Sequence, residues 1–164
     1  MRKYLLVMVT LLAGDAAQAQ QTLQSGKTAE FKTVDLSGKL VAKLVRAEEP
    51  GFEINLESTD RNRIQWGVTN GTLSVKLRPD AANSQSVAEV IIYYTDLSAI
   101  KVNGAEIRTD STMTAKMLNV DLMSGAKASL ALDCMDLNMN ITGNSIADLS
   151  GSSLYFTLRA VTRS

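Results

Sequence analysis

The back half of the 164-residue chain is internally repetitive, and this constrains the fold more than any other feature. Glycines occur at Gly104, Gly125 and Gly143, separated by 21 and 18 residues. Alternating apolar residues recur at a spacing of 19, with Leu118, Val120 and Leu122 corresponding to Leu137, Met139 and Ile141. A unit of this length, built of short strands and small-residue corners, is typical of one coil of a β-solenoid, in which each coil stacks its apolar row on the next.

The three glycines are predicted to form the corners of these coils. Glycine permits a positive φ and lets the backbone of the next coil approach closely. At the same spacing of 19, Asn119 corresponds to Asn138. Identical polar residues stacked in register form side-chain amide ladders, but exposure to solvent on one face accounts for the same pair. The sequence leaves these two interpretations open.

Alternation of apolar and polar residues dominates after residue 28, so the chain is predicted to be all-β. The clearest short-range signal is Asn70-Gly71 between two alternating segments, which predicts a hairpin with a type I′ turn. We therefore expect antiparallel strands and a hairpin, followed by a right-handed β-helix with coils of about 18–21 residues. The right hand is expected from the general preference of parallel crossovers.

The N-terminus has the order of features of a secretory signal peptide. Arg2 and Lys3 precede an apolar run at 4–13, which is too short to span a bilayer, and Ala17-Gln18-Ala19 forms a small-x-small cleavage site. The alternative is a buried N-terminal helix. We expect a signal peptide at 1–19, a flexible mature N-terminus at 20–28 and a single β-solenoid domain at 29–164, with no membrane span after cleavage.

Composition excludes several classes of function. The 17 basic and 17 acidic side chains balance, which argues against nucleic acid as a partner. The chain has no His, so every imidazole-based mechanism is excluded, and no calcium-binding repeat is present. The single cysteine, Cys134, lies among apolar residues and is expected in the core. We therefore expect no cofactor, no metal site and no catalytic residue.

The aromatic residues suggest a carbohydrate site, because flat aromatic faces suit sugar rings. Trp66, Tyr93 and Tyr94 are the residues that raise this hypothesis. A lone Trp in a strand is more often part of the core. The sequence therefore favours a buried Trp66.

Several segments together resemble the head GIN domain of putative auto-transporter adhesins, exported bacterial proteins found mainly in Bacteroidetes. They are VDLSG at 34–38, NGTLSV at 70–75, YTDL at 94–97, IKVNGA at 100–105, MSGA at 123–126 and ITGNS at 141–145. The resemblance covers the chain from about Phe31 to its end. It implies a right-handed β-helix in the periplasm, on the outer-membrane surface or outside the cell. Thr95 departs from the family, whose members often have Pro there.

The resemblance also implies further coils. Leu154, Phe156 and Leu158 begin another coil, and family members often carry more of them, so the chain is expected to be C-terminally truncated. In a complete chain, the last coil would present an open edge and an unpaired apolar row. Such an end requires a cap or a partner, and self-association through it is a hypothesis.

Three functions remain open. The first is a non-catalytic envelope or surface protein, an adhesin-like module whose solenoid faces bind a glycan or an envelope protein. The second is a β-helix polysaccharide lyase or hydrolase, which needs two carboxylates in one cleft. The third is a periplasmic accessory protein that binds a protein client by strand addition. The candidate surface-binding residues are Asp121, Lys127, Asp133, Asp136 and Asp148.

Overall fold

The computed structural model describes residues 21–57, 62–78 and 87–161. These residues form twelve β-strands and no α-helix, as the alternation predicted. The strands are β1 (Gln21–Lys27), β2 (Thr33–Ser37), β3 (Leu40–Arg46), β4 (Gly51–Glu57), β5 (Ile64–Thr69), β6 (Thr72–Leu77), β7 (Ala88–Tyr94), β8 (Ala99–Asn103), β9 (Glu106–Thr109), β10 (Met113–Met123), β11 (Lys127–Thr142) and β12 (Ile146–Val161).

All twelve strands belong to one mixed sheet, which curls strongly into a half-barrel. The order is β1-β4-β7-β3-β9-β11-β10-β8-β2-β6-β5, and β12 adds to β11. The antiparallel pairs are β1–β4, β4–β7 and β5–β6, all formed by strands that end before residue 95. The other strand pairs are parallel.

The predicted 19-residue register is confirmed. Leu118 of β10 is the register partner of Leu137 of β11, and Val120 is the partner of Met139. The same spacing continues from β11 to β12, where Phe156 lies beside Leu137. We call β10, β11 and β12 the parallel stack. Its apolar rows are buried in β10 and β11, because each row lies on the row of the neighbouring strand.

The three predicted corner glycines all have positive φ: 66° at Gly104, 77° at Gly125 and 63° at Gly143. The predicted close approach of the next pass occurs at Gly143, where a Cβ would lie 3.0 Å from the backbone nitrogen of Ser124. At Gly104 and Gly125 a Cβ would have room. At these two corners the positive φ alone requires glycine.

The asparagine-glycine hairpin is also confirmed. Asn70 and Gly71 both have positive φ, at 50° and 71°, and Thr69 pairs with Thr72 across the turn. Both φ values belong to the left-handed region that a type I′ turn needs. The turn fixes the register in which β5 lies against β6.

The prediction of a flexible segment at 20–28 is wrong over residues 21–27. These residues form β1, which pairs antiparallel with β4 from Gln21↔Glu57 to Lys27↔Gly51. The segment is rich in Gln, Thr and Ser and carries no apolar alternation of its own. Its backbone pairing with β4 places it in the sheet.

The expected antiparallel arrangement of the early strands is wrong for β2 and β3. These two strands do not pair with each other; β2 pairs in parallel with β6 and β8, and β3 with β7 and β9. Gly38 between them has a φ of 95°, and its N–H donates to the Asn103 carbonyl of the neighbouring pass. Gly38 is therefore a corner with positive φ, like Gly104, but a Cβ at Gly38 would also collide with the Leu77 carbonyl of β6.

The core follows the alternation, and Cys134 is buried in it as expected. Trp66 contradicts the expectation of a buried indole, because 45% of it is exposed. It lies on β5, the last strand of the sheet order, and its ring packs on Phe52 at a centroid distance of 4.1 Å. A side chain on a terminal strand packs on one end of the core, but no further strand lies beside it to bury its other side. Tyr94 is buried.

Candidate functional site

One outer face of the sheet extends over seven strands: β5, β6, β2, β8, β10 and the C-terminal parts of β11 and β12. At a strand spacing of about 4.8 Å it is about 29 Å long. Its outward residues form three rows that follow the register of the strands, and none of them is buried. We call this surface the polar face. Row one contains Thr69, Thr72, Thr33, Ala99, Asn119, Asn138 and Thr157; row two contains Gly67, Ser74, Asp35, Lys101, Asp121, Asn140 and Arg159; row three contains Gln65, Lys76, Ser37, Asn103, Met123, Thr142 and Val161.

Row one presents hydroxyl and amide groups and carries no charge. Asn119 and Asn138 are register partners here, as predicted, but they do not form an amide ladder. The Asn119 amide donates to the Ser98 carbonyl at 3.4 Å, and the Asn138 amide donates to Asp136 Oδ1 at 3.4 Å. The predicted register is therefore confirmed, but the two amides bind to Ser98 and Asp136 and not to each other.

Row two carries opposite charges on neighbouring strands. Asp35, Lys101 and Asp121 follow one another across β2, β8 and β10. From row three, Lys76 places its Nζ 3.9 Å from Asp35 Oδ2. Cross-strand pairs of this kind contribute modestly to sheet stability and leave the face without a strong net field. Of the predicted surface-binding residues, Asp121 lies on this face.

Lys127 and Asp148 lie on the opposite side of the half-barrel. Lys127 is the register partner of Glu106 and Ile146, and Asp148 is the partner of Ser129. All of these outward side chains are exposed. The two residues therefore share a surface with each other but not with Asp121.

The same side carries one tyrosine with an altered pKa. The Tyr93 hydroxyl donates to Glu53 Oε1 at 3.0 Å across β7 and β4. This hydrogen bond, and to a smaller extent burial and the Glu53 charge, raise the pKa of Tyr93. The contact holds the tyrosine ring against the sheet. The predicted sugar-stacking aromatic residues are thus not gathered at one place, since Tyr94 is buried and Trp66 packs on Phe52.

Asp133 lies in an open groove of about 670 Å³ beside the parallel stack. The groove is also lined by Arg46, Asp96, Lys116 and Ser152. The Ser152 hydroxyl donates to Asp133 Oδ1 at 2.8 Å, and Asp96 forms an ion pair with Lys32 at 3.5 Å. The groove therefore contains two carboxylates and two cations, and both carboxylates already have partners.

The sequence analysis selected Asp133 but missed the other groove residues. Thr114 and Ser152 are the register partners of Asp133, so the 19-residue spacing alone would have found them. Arg46 and Asp96 come from β3 and from the segment after β7. Nothing in their local sequence indicates a groove.

Asp136, the last of the predicted surface residues, lies outside the set that lines the groove. Its register partners are Met117 and Tyr155, and its carboxylate accepts the hydrogen bond from Asn138. The five predicted residues are thus spread over several surfaces. The structure does not bring them together as one site.

Two further properties concern only the described ranges. Within residues 21–57, 62–78 and 87–161, no three His, Cys, Asp or Glu side chains are grouped so as to hold a metal ion. In the same part of the chain there is no helix with the length and apolar character to cross a membrane.

A comparison with known protein families identifies the family of the chain. Residues 30–164 match the sequence model of the putative auto-transporter adhesin, head GIN domain family. The chain belongs to this family. The resemblance drawn from the sequence segments is therefore confirmed. No match is found among curated proteins.

Solved structures share the fold of this GIN-domain chain at low sequence identity. A putative adhesin from Parabacteroides merdae is 14% identical with a TM-score of 0.69, covering 83% of this chain and 57% of that one. A putative lipid binding protein from Parabacteroides distasonis is 14% identical with a TM-score of 0.65, covering 87% and 62%. A putative adhesin from Bacteroides fragilis is 12% identical with a TM-score of 0.53, covering 88% and 98%.

At these identities the likeness concerns the fold alone. The GIN-domain chain spans about three fifths of the length of the first two of these structures. The family description, putative auto-transporter adhesin, points to an exported or surface protein.

Proposed function

We propose that the chain is an exported, non-catalytic binding module of the bacterial envelope or cell surface, and that its polar face binds an envelope glycan. The periplasm, the outer-membrane surface and the extracellular space all fit this role. The signal peptide proposed at 1–19 lies outside the described residues. The family description as an adhesin supports the proposal.

The polar face is the observation that carries the proposal. Row one offers hydroxyl and amide groups on every strand except β8, at a repeat of about 4.8 Å. Such groups both donate and accept hydrogen bonds, which matches the alternating donors and acceptors of sugar hydroxyls. An extended glycan lying across the strands would meet the same chemistry at each step.

We also propose that the parallel passes belong to a right-handed β-helix. The supporting observations are the constant register of the parallel stack and the corner glycines at Gly38, Gly104, Gly125 and Gly143. Parallel crossovers in one sheet are right-handed in about 98% of cases. The winding gives the polar face its regular rows.

The proposal is tested by glycan binding to the purified protein and to two variants. Asn119→Lys places a long charged side chain in the middle of row one, and Ser129→Lys makes the matched change on the opposite side, where Ser129 is also exposed. We expect Asn119→Lys to weaken binding about tenfold, the effect of losing one or two hydrogen bonds. Ser129→Lys should bind as the parent does. The reverse pattern, or no retention of any envelope glycan, would reject the polar face as the site.

The groove supports a second candidate, cleavage of an acidic polysaccharide. Arg46 and Lys116 supply positive charge, while Asp96 and Asp133 are the two carboxylates of the groove. Hydrolysis uses two such groups about 5–9 Å apart. Product release from acidic polysaccharides that is abolished in Asp133→Asn would establish this activity in place of the binding role.

The third candidate, a periplasmic accessory role with strand addition to a protein client, would use a free strand edge.

A further inference from the structure

The outer edge of β12 is the least covered part of the described chain. All of the 16 residues of β12 are exposed or partly exposed, although its partner β11 is largely buried on the inner side. Phe156 and Leu158 are each 52% exposed. Within the described ranges β12 pairs with β11 alone, so its second backbone edge has no strand beside it.

The core side of β12 lacks the charges and prolines that normally protect an edge strand. Its residues on the core side are Ala147, Leu149, Gly151, Ser153, Phe156, Leu158 and Ala160, which are register partners of β11 core residues. None of them is charged, and β12 contains no proline. Natural proteins block long edges with charge, proline or a cover. The core side of this edge is therefore open to pairing with another strand.

We propose that β12 pairs antiparallel with β12 of a second copy of this chain, forming a symmetric dimer that extends the sheet and closes the apolar end. In this pairing Leu149 lies opposite Leu158 of the second copy, Ala147 opposite Ala160, and Gly151 opposite Phe156. A two-fold axis makes every one of these contacts twice.

The alternation along β12 selects this register. Leu154 lies at a position where the pairing between β11 and β12 is interrupted, and the core-facing residues change from odd to even numbers across it. In an antiparallel pair, residues that lie opposite each other point to the same side of the sheet. The core sides of both copies therefore coincide only if the odd-numbered core residues of one copy lie opposite the even-numbered core residues of the other. The two-fold pairing centred between Ser153 and Leu154 meets this condition, and it sets the smallest core-side residue against the largest.

Charge complementarity supports a second copy as the occupant. On the outward side, the same register places Asp148 opposite Arg159 of the second copy, and Ile146 opposite Val161. Asp148 and Arg159 are the two charged residues of β12, and both are exposed. Neither takes part in an ion pair with another described residue. Opposite charges on facing strands stabilise a pair, and like charges destabilise it.

A charge exchange followed by sedimentation velocity tests the proposal. We expect the parent protein to dimerise as its concentration rises. Asp148→Arg or Arg159→Asp alone turns two attractive pairs into two repulsive ones, and each should raise the dimer dissociation constant about tenfold or more. The double variant Asp148→Arg/Arg159→Asp restores opposite charges and should restore dimerisation. Circular dichroism of each variant confirms that it remains folded.

Disulfide trapping tests the register independently. Ser150 and Thr157 face each other in the proposed pairing but are too far apart along one strand to bridge within a chain. Ser150→Cys/Thr157→Cys should form covalent dimers on mild oxidation, whereas the control Ser150→Cys/Val161→Cys should not. Cys134 is buried and is left unchanged.

Three results would overturn the proposal. The first is a parent protein that stays monomeric at every concentration, which would leave the edge for a different protein chain or for a further coil. The second is a double charge variant that fails to recover the dimer. The third is equal trapping by both cysteine pairs. Glycan binding is measured separately on the parent protein, Asn119→Lys and Ser129→Lys, because Thr157, Arg159 and Val161 themselves belong to the polar face. None of the three results above therefore decides the glycan proposal.

Discussion

Individual glycines determine where the chain turns, and their roles differ. Gly104, Gly125 and Gly143 were predictable because they recur in the repeat. Gly38 lies outside the repeat, but the local sequence predicted a turn at Ser37-Gly38, and Gly38 does lie between β2 and β3. Gly151 was not predictable, because it follows Gly143 too closely to be read as a corner. Gly151 has a φ of 110°, and a Cβ there would meet the carbonyl oxygen of Leu132 on the neighbouring strand. Glycine is required at position 151 because the neighbouring strand lies so close, and a single sequence does not show contacts between strands.

Gly125 and Gly151 therefore make a matched pair of substitutions. Gly125→Ala meets no atom within 4 Å, so it should cost only the backbone strain, about 1–2 kcal/mol. Gly151→Ala adds a collision with backbone and should lower the free energy of unfolding by clearly more than Gly125→Ala. Urea unfolding at low protein concentration measures both. Equal losses would mean that β12 does not lie against Leu132 as described.

The raised pKa of Tyr93 makes a small part of the stability dependent on pH. A pKa that is higher in the folded than in the unfolded protein means that the protonated tyrosine stabilises the fold. This contribution is complete below the ordinary tyrosine pKa of 10.0 and is lost as the pH rises through the folded value. In Glu53→Gln, where the carboxylate is removed, stability should decline less between neutral and strongly alkaline pH. An unchanged decline would show that the Tyr93–Glu53 contact does not act on the fold.

At the scale of elements, the 19-residue period predicted the pairing of β10 with β11 and of β11 with β12. It could not predict β1, whose polar sequence carries no periodic signal, nor the parallel pairing of β2 with β8. Partners such as Val34 and Ile100 are 66 residues apart, with no repeat connecting them. Long-range pairing of this kind depends on the whole sheet, so local alternation identifies the strands but not their neighbours.

Burial along the parallel stack predicts where truncation is costly. Leu118 is fully buried, while Leu154 is 67% exposed at the bend of β12. Leu118→Ala should lower the free energy of unfolding by about 2–5 kcal/mol, because it leaves a cavity in the core. Leu154→Ala should change it by about 0.5 kcal/mol or less, measured by urea unfolding at a concentration that keeps the protein monomeric. A large loss at Leu154 would mean that another segment covers the bend in the monomer.

At the scale of the molecule, one curled sheet presents several distinct surfaces. The sequence alone did not show which residues share a surface. Outward positions of a strand accept most polar residues, so of the selected charges Asp121 lies on the polar face, while Asp133 lines the groove. The polar face became visible only when the register aligned residues from the hairpin with residues from β12. The fold class and family could be predicted from sequence, whereas the composition of a surface required the three-dimensional neighbours.

The central claim is that the C-terminal half forms parallel passes in a 19-residue register. Inter-strand amide-to-α-proton nuclear Overhauser effects measure this most directly, because register partners in a parallel sheet bring these protons close together. The account predicts cross-peaks that link Asn119 to its neighbours around Asn138, and Asn138 to its neighbours around Thr157. Cross-peaks in an antiparallel pattern, or the absence of contacts between 118–122 and 137–141, would contradict it.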